Sequence, residues 1–168
     1  LKISYQHFTQ GEMVHIMHPY YLKQYNNRWF LFGITEQNRE VLTNLALDRI
    51  ANIELADTPY IPNTSFDFEE YFDDVVGVSV PRSGEPEKVV LKISEKQYPY
   101  IKTKPLHPSQ AELDKDNRII QLDVFLTWEL ESLILSYGDD IEVIEPISLR
   151  ERIQKRVKNL LEIYNCAE

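Results

Sequence analysis

The sharpest chemistry in this sequence sits at Arg49, within Leu47-Asp48-Arg49-Ile50. Its guanidinium presents five N–H donors in a planar fork that matches a phosphate, and it follows a strand end, where ligands are readily reached. An ion pair with Asp48 or Glu54 would use the same fork for structure alone. Tyr5 can stack a base or hydrogen-bond a phosphate, or pack in a core with its hydroxyl wet. His18 can donate to a phosphate or cap the turn before Pro19. His15 lies three residues earlier, and in a strand that odd spacing sends the two imidazoles to opposite faces, so no metal site is expected of them. Trp29 lies in a strand that is apolar on both sides, which makes it a core residue before a stacking platform.

Covalent chemistry has little to work with. Cys166 stands two residues from the end of 168, with no histidine near it in sequence and no second cysteine for a disulfide or a CxxC site. GxSxG, Walker and HExxH patterns are missing from the sequence. His107-Pro108-Ser109-Gln110 reads as a turn or as part of a ligand cleft. The expectation is a binding protein, not an enzyme, with no cofactor.

Charge narrows the partners. With 27 acidic against 18 basic residues the chain carries a net −9, which excludes a generally basic nucleic-acid coat. The acidity is uneven: residues 1–57 hold 5 basic and 6 acidic side chains, whereas 58–168 hold 13 and 21. A nearly neutral first part can still present a local cationic pocket. The one dense basic run is Arg150, Arg152, Lys155, Arg156 and Lys158, either a solvated helix face or a surface for DNA or an acidic segment.

The elements that must hold these residues divide at about residue 57. Before it, strand follows strand: Lys2 to Phe8 alternates, with Ile3, Tyr5 and His7 on one face, and Met13 to His18 alternates until Pro19 interrupts it. Asn26-Asn27 suits a tight hairpin turn into Arg28 to Ile34, and Val41 to Leu47 is a further strand. A short strand apolar on both faces implies a small closed barrel. Residues 58–87 read as a linker whose stretch from Phe66 to Asp74, five acids and four aromatics, docks as a short amphipathic helix. From 88 to 168 the order is strand, helix, two strands, helix, strand, helix, an α+β pattern. Thr127 caps one helix, which Gly138 stops; Ser148 and Glu151 form a capping box for the last, whose Leu149, Ile153, Val157, Leu160, Leu161 and Tyr164 share a face. The longest strongly apolar stretch, Trp29 to Ile34, is six residues, against the roughly 20 that a membrane helix requires. The chain opens on Leu1 within a strand pattern, without an initiator methionine, and reads as a fragment.

His18-Pro19, Trp29-Phe30-Leu31 and Leu47-Asp48-Arg49-Ile50, in that order and spacing, resemble a WYL domain. The later stretch from Leu135 to Pro146, with Leu149-Arg150, resembles the carboxy-terminal WCX-type extension of that family. The resemblance implies an Sm-like, SH3-type barrel over 1–57, a ferredoxin-like α+β domain over 88–168, and a place downstream of a helix-turn-helix domain in a cytoplasmic, homodimeric transcription regulator. It further implies a nucleotide, single-stranded nucleic acid or other anion as effector, with Tyr5, His18, Trp29 and Arg49 as pocket residues and Asp48 orienting Arg49. The motif's tyrosine is Phe30 here, and the positions where many relatives carry basic residues are Thr43 and Ala46, leaving Arg28 and Arg39 to compensate. The reading from another class is a structural dimerisation module without a ligand.

Overall fold

A computed structural model describes residues 1–165, and the chain forms two compact units, Leu1–Phe68 and a second beginning at Glu69. Cys166 lies outside the described residues.

The first unit is a five-stranded antiparallel sheet of β1 (Lys2–His7), β2 (Gly11–Tyr25), β3 (Arg28–Thr35), β4 (Asn38–Ala46) and β5 (Ile50–Glu54), in the order β4-β3-β2-β1-β5. Period-two alternation decides which side chains meet. Ile3 and Tyr5 from β1, Met17 from β2, Leu31 and Leu45 converge in one buried cluster. Asn26 and Asn27 both take positive φ, 47° and 60°, as a two-residue hairpin requires.

Two expectations change here. Pro19 does not end its strand: β2 runs 15 residues, and Pro19 sits where its register with β3 shifts before Tyr21, an irregularity that tolerates a residue without an N–H. Nor do hydrogen bonds close a barrel. Among the described residues no ladder joins β4 to β5; a 3₁₀ turn over Leu47–Arg49 carries the chain across to the opposite edge of the sheet. β3 is nonetheless buried throughout Leu31 to Thr35, as its two apolar faces demand. The chain after β5 folds back along β2, where Phe66 meets Tyr20 and Phe68 stacks on Tyr21 with ring centroids 4.5 Å apart.

The second unit holds α1 (Phe68–Phe72, which straddles the boundary), β6 (Glu87–Ile93), α2 (Tyr98–Thr103), β7 (Ala111–Asp114), β8 (Ile119–Val124), α3 (Trp128–Ser136), β9 (Ile141–Glu145) and α4 (Ile147–Asn165). Its four-stranded antiparallel sheet has the order β7-β8-β6-β9. One face carries the core, in which Val89, Leu91, Leu122 and Val143 meet Leu130, Ile134 and Leu149 from the helices. Pro99 falls in the first turn of α2, where a missing N–H costs nothing. The Thr127 hydroxyl accepts from Leu130 N, capping α3, and Gly138 follows its end at φ 61°.

The last helix departs from its sequence pattern. It begins at Ile147, and the Pro146 carbonyl accepts from the N–H groups of Leu149 and Arg150, so Ser148 lies inside the first turn and the capping box does not form. Leu149 is buried and Ile153 packs beside it, but Val157, Leu160, Leu161 and Tyr164 are exposed. The sheet supports only the opening turns of α4, so the shared apolar face outruns the core that covers it. None of the described helices is long and apolar enough to cross a membrane.

Gly33 gives a direct test of the first sheet. A Cβ there would lie 2.1 Å from the His18 carbonyl oxygen, a backbone atom held in the ladder. Gly33→Ala should therefore destabilise the chain by about 3 kcal/mol in urea unfolding. Gly11→Ala meets open space and should cost only about 1 kcal/mol, from its φ of 75°.

Candidate functional site

Arg49 reaches back from the 3₁₀ turn to the end of β1. Its Nε and Nη2 both donate to the Gln6 carbonyl, at 2.9 and 2.6 Å. The guanidinium carbon lies 3.7 Å from the centroid of the Phe8 ring and 4.8 Å from that of Tyr5. Neither Asp48 nor Glu54 is its partner: Asp48 pairs with Arg28 at 3.1 Å, and Glu54 with Lys2 at 3.0 Å. Among the described residues Arg49 forms no carboxylate ion pair, and a carbonyl does not neutralise its charge. Two of its five N–H donors are used, which leaves three for a ligand. Phe8, 82% exposed, extends this cationic edge with an open aromatic face.

Tyr5 lies beneath, only 4% exposed, and its hydroxyl accepts from Ala46 N at 3.2 Å. It is the floor of the site and a core residue together. Ala46 supplies that N–H from the end of β4, while Thr43 is paired with Gly33 in the ladder. Beside Tyr5 stand His7 and His15, their Nε2 atoms 3.1 Å apart. Alternation put His7 on the face of Tyr5, but the neighbour weighed for His15 in the sequence was His18. The hairpin register places Ile3 opposite His15 and His7 opposite Gly11, so both imidazoles share the face of Tyr5 and Met17. Reading the β1–β2 turn as a tight hairpin is the signal that would have found His7. Burial and then His7 push the His15 imidazole below its ordinary range.

His18 serves a different purpose. It is 2% exposed, accepts from Ile61 N at its Nδ1 (3.0 Å), and donates from Nε2 to Glu36 Oε1 (2.7 Å), the pattern of the Nε2–H tautomer. Glu36 takes Arg39 on its other oxygen at 2.5 Å. The Arg39 hydrogen bond first, then that of His18, hold the Glu36 carboxyl below its usual range. Tyr60 donates to the Pro19 carbonyl at 3.1 Å, so His18 and Pro19 together fasten residues 60 and 61 to β2.

Trp29 does not fill the core: it is 47% exposed and faces Gln24 across the β2–β3 hairpin, beyond the buried part of β3. Arg28 and Arg39 both end on carboxylates. Tyr5, Arg49, His7, His15 and Phe8 form one cluster; the interactions of His18, Arg39, Arg28 and Asp48 lie elsewhere. In the second unit His107 is buried, and its Nδ1 meets both the hydroxyl and the N–H of Ser109, whose hydroxyl in turn pairs with the backbone of Asp123. That is a turn stapled to β8.

His18→Leu should destabilise the chain by about 2–3 kcal/mol, because it leaves the Ile61 N–H without an acceptor and Glu36 Oε1 without its donor. Limited proteolysis of the variant should cut within residues 56–66 sooner than in the parent chain.

Comparisons with known proteins agree with the two-unit division. The family model of the WYL domain matches residues 1–55 and that of the WCX domain residues 85–161. Among solved structures, a CRISPR Cas-related protein aligns over 99% of this chain and 48% of its own at 13% identity, with a TM-score of 0.55, a likeness of fold. Proteasome accessory factor B/C (PafBC) of Arthrobacter aurescens aligns over 94% of this chain and 24% of its own, at 20% identity and a TM-score of 0.37. The chain thus spans from a quarter to about half the length of these structures. A search of curated proteins gave no match. A WYL domain followed by a WCX domain accounts for most of the sequence, and the chain belongs to the WYL-domain family.

Proposed function

We propose that this chain is the effector-sensing and oligomerising region of a cytoplasmic, bacterial-type transcription regulator. Its first unit, an Sm-like fold, binds a nucleotide or single-stranded nucleic acid, and its second, ferredoxin-like by strand order, joins two copies. Binding biases a DNA-binding domain that precedes this region in the full protein. The observation that carries the reading is Arg49: a cation with three free donors and no carboxylate partner among the described residues, flanked by the exposed ring of Phe8. Charge would hold a phosphate there and the ring would stack a base. We read the site as binding without turnover, since no nucleophile and base are paired within it.

Titration with short single-stranded DNA, RNA and cyclic dinucleotides tests this. At least one should bind saturably, more weakly as salt rises. Arg49→Ala should lower that affinity by roughly tenfold to a hundredfold, as a charge-assisted hydrogen bond contributes about 1.5–3 kcal/mol. No saturable binding, or an affinity indifferent to Arg49→Ala in a variant that unfolds like the parent, would sink the assignment.

A second reading, a dimerisation module without a ligand, is favoured by the uncovered apolar face of α4 at Val157, Leu160, Leu161 and Tyr164. Under either reading Leu161→Glu should shift a dimer towards monomer in sedimentation equilibrium. Effector binding by the same protein separates the two.

A further inference from the structure

The first unit contains a pair of groups that anion binding leaves unexplained. His7 and His15 come from adjacent strands of one hairpin, are both partly buried, and bring Nε2 to within 3.1 Å of Nε2. Hydrogen-bonded to each other, the two rings hold a single N–H between their Nε2 atoms, so one nitrogen donates and the other accepts.

The spacing also fits another occupant. A metal 2.0–2.1 Å from each nitrogen separates them by about 2.9 Å at a right angle and about 3.4 Å at the tetrahedral angle. The observed 3.1 Å lies between the two. The hairpin ladder fixes both backbones, and the T-shaped contact of Tyr5 with His7, centroids 4.9 Å apart, limits the ring's swing. The ligands are thus set in place before any ion arrives.

We propose that His7 and His15 form a two-imidazole site for a divalent transition metal of the zinc, nickel or copper class. Both rings bind through Nε2, with the Nδ1–H tautomer on each. Among the described residues no third histidine, cysteine or carboxylate completes a metal cluster, so water fills the remaining positions. Imidazole nitrogen selects these metals over magnesium and calcium, which prefer oxygen. Arg49, resting on Tyr5, opposes a cation, but at a solvent-facing edge salt screens that repulsion.

The test uses the full chain in a Cys166→Ser background, which removes the thiol, and titrates Zn²⁺, Ni²⁺ and Cu²⁺ by calorimetry. One ion should bind per chain, with Cu²⁺ tightest. His7→Gln and His15→Gln should each weaken binding by at least roughly tenfold, the scale on which metal sites respond even to the loss of an outer partner. His107→Gln should leave it unchanged. Binding should weaken as the pH is lowered, because a protonated imidazole does not ligate a metal. The Cu²⁺ complex should show hyperfine coupling to two nitrogens in electron paramagnetic resonance. Thermal unfolding of each metal-free variant checks that the hairpin is intact. No saturable binding, equal affinity in either histidine variant, or coupling to a single nitrogen overturns the proposal.

Discussion

The close passage of β2 over Gly33 shapes the first unit. β2 pairs with β1 as far as Ile16 and with β3 from Met17 on; just beyond that change, the His18 backbone presses on a residue that can have no side chain, and the register with β3 shifts after Pro19. A straight 15-residue strand could not serve both halves of so small a sheet. The shift falls within the β2–β3 ladder, and the segments on either side of it each keep their alternation. The first half places Met17 in the core with His15 on the same side of the strand, and the second carries Tyr20 and Tyr21 towards the returning aromatics.

Electrostatics then sorts four cations of this unit into two kinds. Lys2, Arg28 and Arg39 each sit against a carboxylate, and exposed pairs of that sort add little to stability while cancelling charge. Arg49 is held by a carbonyl and two aromatic rings, contacts that fix its position and leave its charge in place. Its edge of the sheet is therefore locally positive within a unit that is close to neutral overall.

The second unit separates packing from function by length. Leu149 and Ile153 anchor α4 to the sheet, and Arg152 and Arg156 pin it to Glu131 on α3. The helix then continues for three turns with its apolar positions in water, an arrangement a lone unit gains nothing from. The basic run found in the sequence is partly spent: Arg150 pairs with Glu142, and Arg152 and Arg156 with Glu131.

Much of the architecture was legible in the residues, because it rests on local rules. Alternation marked the strands, Asn26-Asn27 the hairpin, Thr127 and Gly138 the limits of α3, and the order of elements in the second unit followed. The aromatic-acidic stretch became the short helix α1. What sequence could not supply was partnership. Whether a carboxylate meets Arg49, where His7 lies relative to His15, and how far the sheet extends under α4 depend on register and on where elements end, quantities set by packing across many residues. Even the apparent His15–His18 pair dissolved, since the odd spacing that parts them within β2 leaves each to a different neighbour. The sequence by itself determined the family, the strand and helix order and the presence of one guanidinium at a strand end. Tertiary structure alone decided that this guanidinium keeps its charge, that Trp29 stands partly in solvent, and that two histidines eight residues apart face each other nitrogen to nitrogen.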